Sequence, residues 1–123
     1  MILWLTGNTG AGKTSLARHL TGHQRNTAVL DGDAMREAVS RDLGLTLADR
    51  LEHNERVARL ATTLEGQGLT VVVAVIAPTR VIRDRVRELC GCVFIHVEGG
   101  SPDNARTPYE RPSDDEIAFR VMA

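Results

Sequence analysis

Gly7-Asn8-Thr9-Gly10-Ala11-Gly12-Lys13-Thr14 fits the spacing G-x-x-x-x-G-K-[ST]. It stands between Met1 to Leu5, a short strand-like stretch, and Lys13 to Leu20, which reads as a helix closed by Gly22. Strand, glycine-rich turn and helix in that order are the setting in which this pattern carries a mechanism. Glycines let the backbone curl until several N–H groups face one anion, and the helix N-terminus adds a favourable dipole. The spacing therefore predicts a nucleotide site built from Gly7, Asn8, Thr9, Gly10, Ala11, Gly12, Lys13, Thr14 and Ser15. Lys13 is placed to reach the β- and γ-phosphates of ATP, and the Thr14 hydroxyl to ligate Mg²⁺. The plainer possibility is a glycine-rich turn with an incidental lysine, yet Lys13 is the only lysine among fifteen basic residues.

Outward from this loop the chain alternates strands and helices. Thr27 to Leu30 reads as a strand ending at Asp31, and Asp33 to Arg41 as a helix with Asp33 near its cap. Thr46-Leu47-Ala48-Asp49 resembles a capping box opening a helix to about Glu65. Its buried face is Val57, Leu60, Ala61 and Leu64, at i, i+3, i+4 and i+7. Leu69 to Ile76 is a nearly continuous β-branched run, suited to a strand covered on both faces of a parallel sheet. Pro78 stops it, and Arg80 to Leu89 is helical with Ile82, Val86 and Leu89 inward. Cys92 to Val97 reads as a strand, Glu98 to Glu116 as a polar loop, and Ile117 to Val121 as a last strand; Trp4, Phe94 and Phe119 read as core. The expected fold is α/β of the P-loop NTPase kind, a five-stranded, mostly parallel sheet flanked by helices in three layers.

A P-loop enzyme needs an acidic residue near its metal. In open α/β sheets ligands sit beyond the carboxyl ends of the strands, so Asp31 and Asp33 are expected to face the phosphate site. One can hold Mg²⁺, directly or through water, while the other accepts the proton of an attacking hydroxyl. Taken alone, Asp33 would read as a helix cap and Asp31 as a turn. The strand ending at Ile76 runs into Ala77-Pro78 and offers no acid, which makes Asp31 the better metal candidate.

Asp31-Gly32-Asp33, then Arg36, Arg41-Asp42-Leu43-Gly44, Asp49-Arg50 and Arg56, resembles the adenylylsulfate kinase family. Val75-Ile76-Ala77-Pro78 with Arg80, and Pro108-Tyr109-Glu110, carry the likeness on, so that it runs from Ile2 to about Val121. The resemblance implies a P-loop kinase using ATP and Mg²⁺, and transfer of the γ-phosphoryl group to a sugar hydroxyl of adenylylsulfate. It implies Lys13, Asp31 and Asp33 as the catalytic set, with Asp33 as the base. It also implies Arg36 and Arg50 on the acceptor's phosphosulfate or ribose, and His53, Ala77 and Pro78 against the acceptor. Departures from the family stand at Leu45, where an aromatic stacks the adenine; at His53, for an asparagine; and at Ala77, for a serine. The long basic lid with its second aromatic is reduced to Glu98 to Thr107, which holds Arg106 and no aromatic. Stacking a base is worth ~1–3 kcal/mol, so losing both partners predicts acceptor binding weaker by about 2–6 kcal/mol. The chain is thus expected to be one domain, 1–123, with a reduced lid at 98–116.

Sixteen acidic against fifteen basic residues give a net charge of −1 and exclude a strongly basic nucleic-acid module. The longest apolar run, Val71 to Ala77, falls short of a membrane span. The opening MILWLTGN carries no basic region of a signal peptide, and Cys90 and Cys92 make no disulfide framework; the cytoplasm is the expected compartment. An open site also suits a larger acceptor that would itself cover the site, such as a hydroxymethylated pyrimidine in DNA. Arg80, Arg83 and Arg87 on one helix face would then track phosphates; the plainer account makes them a solvated face paired with Asp84 and Glu88. A non-catalytic nucleotide-binding module is a further possibility. An ATPase or GTPase switch fits less well, since the chain lacks an Asn-Lys-x-Asp-like segment. A homodimer is admitted. His19 and His23 need no role beyond a helix end and His96 reads as structural, while His53 reads either as an acceptor contact or as a helix-surface residue.

Overall fold

The computed structural model describes residues 1–22, 24–100 and 108–122. The elements are β1 (Ile2–Thr6), α1 (Lys13–Thr21), β2 (Thr27–Asp31), α2 (Gly32–Ala38), α3 (Leu47–Gly66), β3 (Thr70–Ala74), α4 (Arg80–Cys90), β4 (Val93–Glu98), a 3₁₀ turn (Asp114–Glu116) and β5 (Phe119–Met122). The five strands lie in the order β2-β3-β1-β4-β5, and every pair is parallel. The sheet is thus wholly rather than mostly parallel.

Two apolar clusters make the layers. Trp4, Val71, Val73 and Phe94 point to one face and meet Val57 and Ala61 of α3 and Ile82 and Val86 of α4. Leu5, Val72, Ala74 and Val97 point to the other and meet Ala17 of α1. Alternation along β1 and β3 sends neighbouring residues to opposite cores, which is why these strands read as unbroken apolar runs. The loops after β1, β2, β3 and β4 then gather at one edge of the sheet.

Several local expectations are corrected. Helix α2 begins at Gly32, and its cap is Asp31, whose Oδ1 accepts from the Ala34 N–H at 2.9 Å. Thr46 does cap α3, accepting from the Asp49 N–H at 3.1 Å, but the Asp49 carboxylate accepts from the Gly44 N–H instead of closing the box. Strand β3 ends at Ala74, because side chains rather than a neighbouring strand take up the next carbonyls: Trp4 Nε1 donates to Val75 and Thr6 Oγ1 to Ile76. Phe119 is not core; it stands 65% exposed on β5, the last strand of the sheet. Of the three arginines expected on one face of α4, Arg80 and Arg87 do keep a solvent-exposed side paired with Asp84, whereas Arg83 departs from that face and from any phosphate track. Arg83 is fully buried on Glu116, while Arg80 pairs with Asp84 and Asp115, and Arg87 with Asp84. Glu88 pairs with Arg85. Residues 101–107 of the expected lid, Arg106 among them, and His23 lie outside the described residues. Among the described residues no helix is long and apolar enough to cross a membrane.

Candidate active site

The loop leaving β1 owes its curl to glycine. Gly10 and Gly12 sit at φ 81° and 96°, in the left-handed region that L side chains rarely adopt. At Gly7 a Cβ would stand 2.5 Å from the Val97 carbonyl oxygen, so only glycine lets the chain exit beside β4. The Ala11 N–H donates to the Asn8 carbonyl at 3.1 Å, and the Thr9 N–H to Asn8 Oδ1 at 2.9 Å. Lys13 opens α1, and its ammonium donates to the carbonyls of Gly7 and Asn8 at 2.8 and 2.9 Å. Burial pushes this lysine down to about 8. An ammonium whose protein partners are neutral carbonyls, beside a loop held in a left-handed curl, suits a polyphosphate. Thr14 follows half-buried and Ser15 exposed. The segment after β4 lies directly on this loop: a Cβ on Gly100 would stand 2.6 Å from the Thr9 carbonyl oxygen.

Asp31, half-buried, ends β2, and Asp33, exposed, stands in the first turn of α2. Asp33 shares a cavity with Thr9 of the loop, while Asp31 Oδ1 is taken up as the cap of α2. By chemistry alone, two carboxylates and the Thr14 hydroxyl are hard oxygen donors. Such a set fits Mg²⁺, which takes one or two carboxylates and completes its shell from water and substrate phosphates. Among the described residues no group of three or more His, Cys, Asp or Glu is placed to hold a metal by itself.

A cavity of about 230 Å³ opens between Thr9 of the loop, the start of α2, the first turns of α3 and the segment after β3. Asp33, Arg36, Arg50, His53 and Pro78 all line it. Ala77 does not; it is fully buried behind the wall at φ 47°. Arg36 Nη1 donates to the Gly44 carbonyl and Arg50 Nε to the Leu45 carbonyl, each at 2.9 Å. These bonds turn the α2–α3 connection around the two guanidiniums. Burial, and then the charge of Arg50, lower the Arg36 pKa, an arrangement that an anion would relieve.

His53 is 2% exposed, not a surface residue, and its Nδ1 is 2.7 Å from Ser40 Oγ. Burial, with Arg36 and Arg56 nearby, pushes it down to about 4, so the ring is neutral at pH 7. Leu45, at the family's aromatic position, is 67% exposed at the cavity edge. Tyr109 offers no replacement there: it is buried, its hydroxyl 2.9 Å from Thr6 Oγ1 and its ring stacked on His96.

Sequence reasoning missed Asn54. This residue also lines the cavity, donates from Nδ2 to the Arg50 carbonyl at 2.8 Å, and leaves Oδ1 with no partner among the described residues. Its signal was spacing, since Arg50, His53 and Asn54 share one face of α3 at i, i+3 and i+4.

The family model described as Adenylylsulphate kinase matches residues 1–105. The chain is similar to an adenylyl-sulfate kinase of Paraburkholderia xenovorans, 39% identical over 127 residues, covering 95% of this chain and 71% of that protein. It is 45% identical to an adenylyl-sulfate kinase of Shewanella denitrificans, there covering 72% of this chain and 45% of the relative. Among solved structures it is similar to the Mycobacterium tuberculosis APS kinase CysC in complex with AMPPNP and APS. That match has a TM-score of 0.84 at 25% identity, over 98% of this chain and 86% of that one.

Proposed function

The chain belongs to the adenylylsulphate kinase family, and from that premise we propose that it transfers the γ-phosphoryl group of ATP to a hydroxyl of adenylylsulfate. One observation carries this reading: Asp33, Arg36 and Arg50 share a single cavity with Thr9 of the phosphate loop. A base, two cations for an anionic acceptor and the donor's phosphate site thus adjoin one another. The acceptor oxygen attacks the γ-phosphorus, the bond from that phosphorus to the β–γ bridging oxygen breaks, and ADP leaves. The hydroxyl proton passes to the Asp33 carboxylate. Lys13 and the loop amides stabilise the charge moving onto the leaving oxygen. Thr14 and Asp31 would hold Mg²⁺, which when bound neutralises the β- and γ-phosphates. Arg36 and Arg50 fix the acceptor's phosphosulfate through charge-assisted hydrogen bonds. His53, neutral at pH 7, contributes hydrogen bonding rather than charge.

In this reading residues 1–123 act as one P-loop kinase domain in the cytoplasm, with its lid reduced within 98–116, where Tyr109 and Glu116 pack against Thr6 and Arg83 rather than over the site. Leu45 gives the acceptor's base an aliphatic edge in place of a stacking ring. A DNA acceptor loses its support, because Arg83 is buried and cannot follow a phosphate backbone.

The test is product identification by mass spectrometry after incubation with ATP, Mg²⁺ and adenylylsulfate. The expected product is one phosphoryl group heavier than adenylylsulfate, and absent with Lys13→Ala. Retained ATP binding with no such product would favour a non-catalytic nucleotide module.

A further inference from the structure

Ala77 is a non-glycine residue at φ 47°, fully buried, and a side chain in that region persists only where its surroundings hold it. Four successive carbonyls around it are each held from outside the segment. Trp4 Nε1 donates to Val75 at 3.0 Å, Thr6 Oγ1 to Ile76 at 2.7 Å, Arg83 Nη1 to Ala77 at 2.8 Å, and the Glu110 N–H to Pro78 at 2.7 Å. Val75, Ile76 and Pro78 are the wall of the cavity facing α3. Arg83 is the charged member of this set, wholly buried, its Nε donating to Glu116 Oε1 at 2.8 Å. Its guanidinium lies 5.7 Å from the centre of the Tyr109 ring. The guanidinium as a whole is thus within cation–π range of Tyr109, while Nη2 has no hydrogen-bond partner among the described residues.

We infer that Arg83 is a positioning residue for the acceptor: anchored by Glu116, it holds Ala77 in the left-handed conformation that turns Ile76 and Pro78 into the cavity wall. The inference rests on the acceptor reading of that cavity. A planar guanidinium serves Glu116 and the Ala77 carbonyl from two nitrogens at once, whereas the single ammonium of lysine cannot span both.

Arg83→Lys tests this while keeping the buried charge. Trp4 is the only tryptophan, so its indole N–H is one NMR signal that reads the Val75 carbonyl, and the Glu110 amide reads that of Pro78. Both should exchange at least about tenfold faster in the variant while the Leu5 amide of β1 keeps its rate, since local opening is separable from global unfolding. The KM for adenylylsulfate should rise about tenfold with kcat and the KM for ATP within about twofold. Adding Ala77→Gly, which is unstrained at that φ, should recover part of the loss. Equal acceleration at Leu5, Glu110 and Trp4 with both KM values unchanged would overturn the inference and leave Arg83 a stability residue. Local acceleration in a protein that never phosphorylates adenylylsulfate would uphold the role in shaping the wall and remove the proposed acceptor instead.

Discussion

Lys13 combines two demands that pull against each other. Burial brings its pKa to about 8, while a bound polyphosphate would draw it back up. ATP binding should therefore take up about half a proton at pH 8 and most of one at pH 9, measured by calorimetry in buffers of different ionisation enthalpy. Release of protons, or none exchanged, would contradict that role. Asp33→Asn should lower kcat by about 10²–10⁴ with little change in the KM for ATP, the usual range for loss of a general base. Leu45→Phe restores a ring at the cavity edge. With stacking worth ~1–3 kcal/mol, it should lower the KM for adenylylsulfate about fivefold or more. At this scale the sequence made the phosphate loop and the cavity arginines legible, because their chemistry is written in local spacing. It did not reveal that Arg83 is buried, since that depends on Glu116, far along the chain. Nor did it show that Asp31 rather than Asp33 caps α2, because that choice turns on one backbone residue at the end of β2.

Among the elements, the strands and helices were readable to within a few residues. Their hydrophobic periods are strong, and Gly22, Gly66, Gly68 and Pro78 punctuate them. The segment after β4 is the harder case, since its placement is tertiary. Gly100 rests on the phosphate loop at φ 82°, with the Thr9 carbonyl oxygen and the Ala11 nitrogen 2.6 and 2.9 Å from where a Cβ would stand. Gly100→Ala should therefore strain the loop and weaken ATP affinity about tenfold, given strain of ~1–3 kcal/mol for such backbone. Direct titration of ATP against both proteins would read it. Equal affinity would mean that this segment does not fix the loop.

For the molecule as a whole, two buried histidines give stability a dependence on pH between 6.5 and 4. His53 and His96 are both pushed from 6.5 to about 4, chiefly by burial, with Arg36 next for the first and Arg120 for the second. The unfolded chain protonates them near 6.5 and the folded one resists until about 4, so their contribution is complete above the upper value and is lost as pH falls through this window. Across it each histidine should remove up to about 1.4 kcal/mol per pH unit, visible as a falling Tm between pH 6.5 and 4. His53→Gln and His96→Gln should flatten that slope. The central claim is that the cavity beside the phosphate loop receives the phosphoryl acceptor. It is tested most directly by the initial rate of ADP release from MgATP with and without adenylylsulfate. At least a tenfold increase is predicted on adding the acceptor, as expected when a positioned hydroxyl replaces water, and no increase in Asp33→Asn. An ADP release rate indifferent to adenylylsulfate would contradict it.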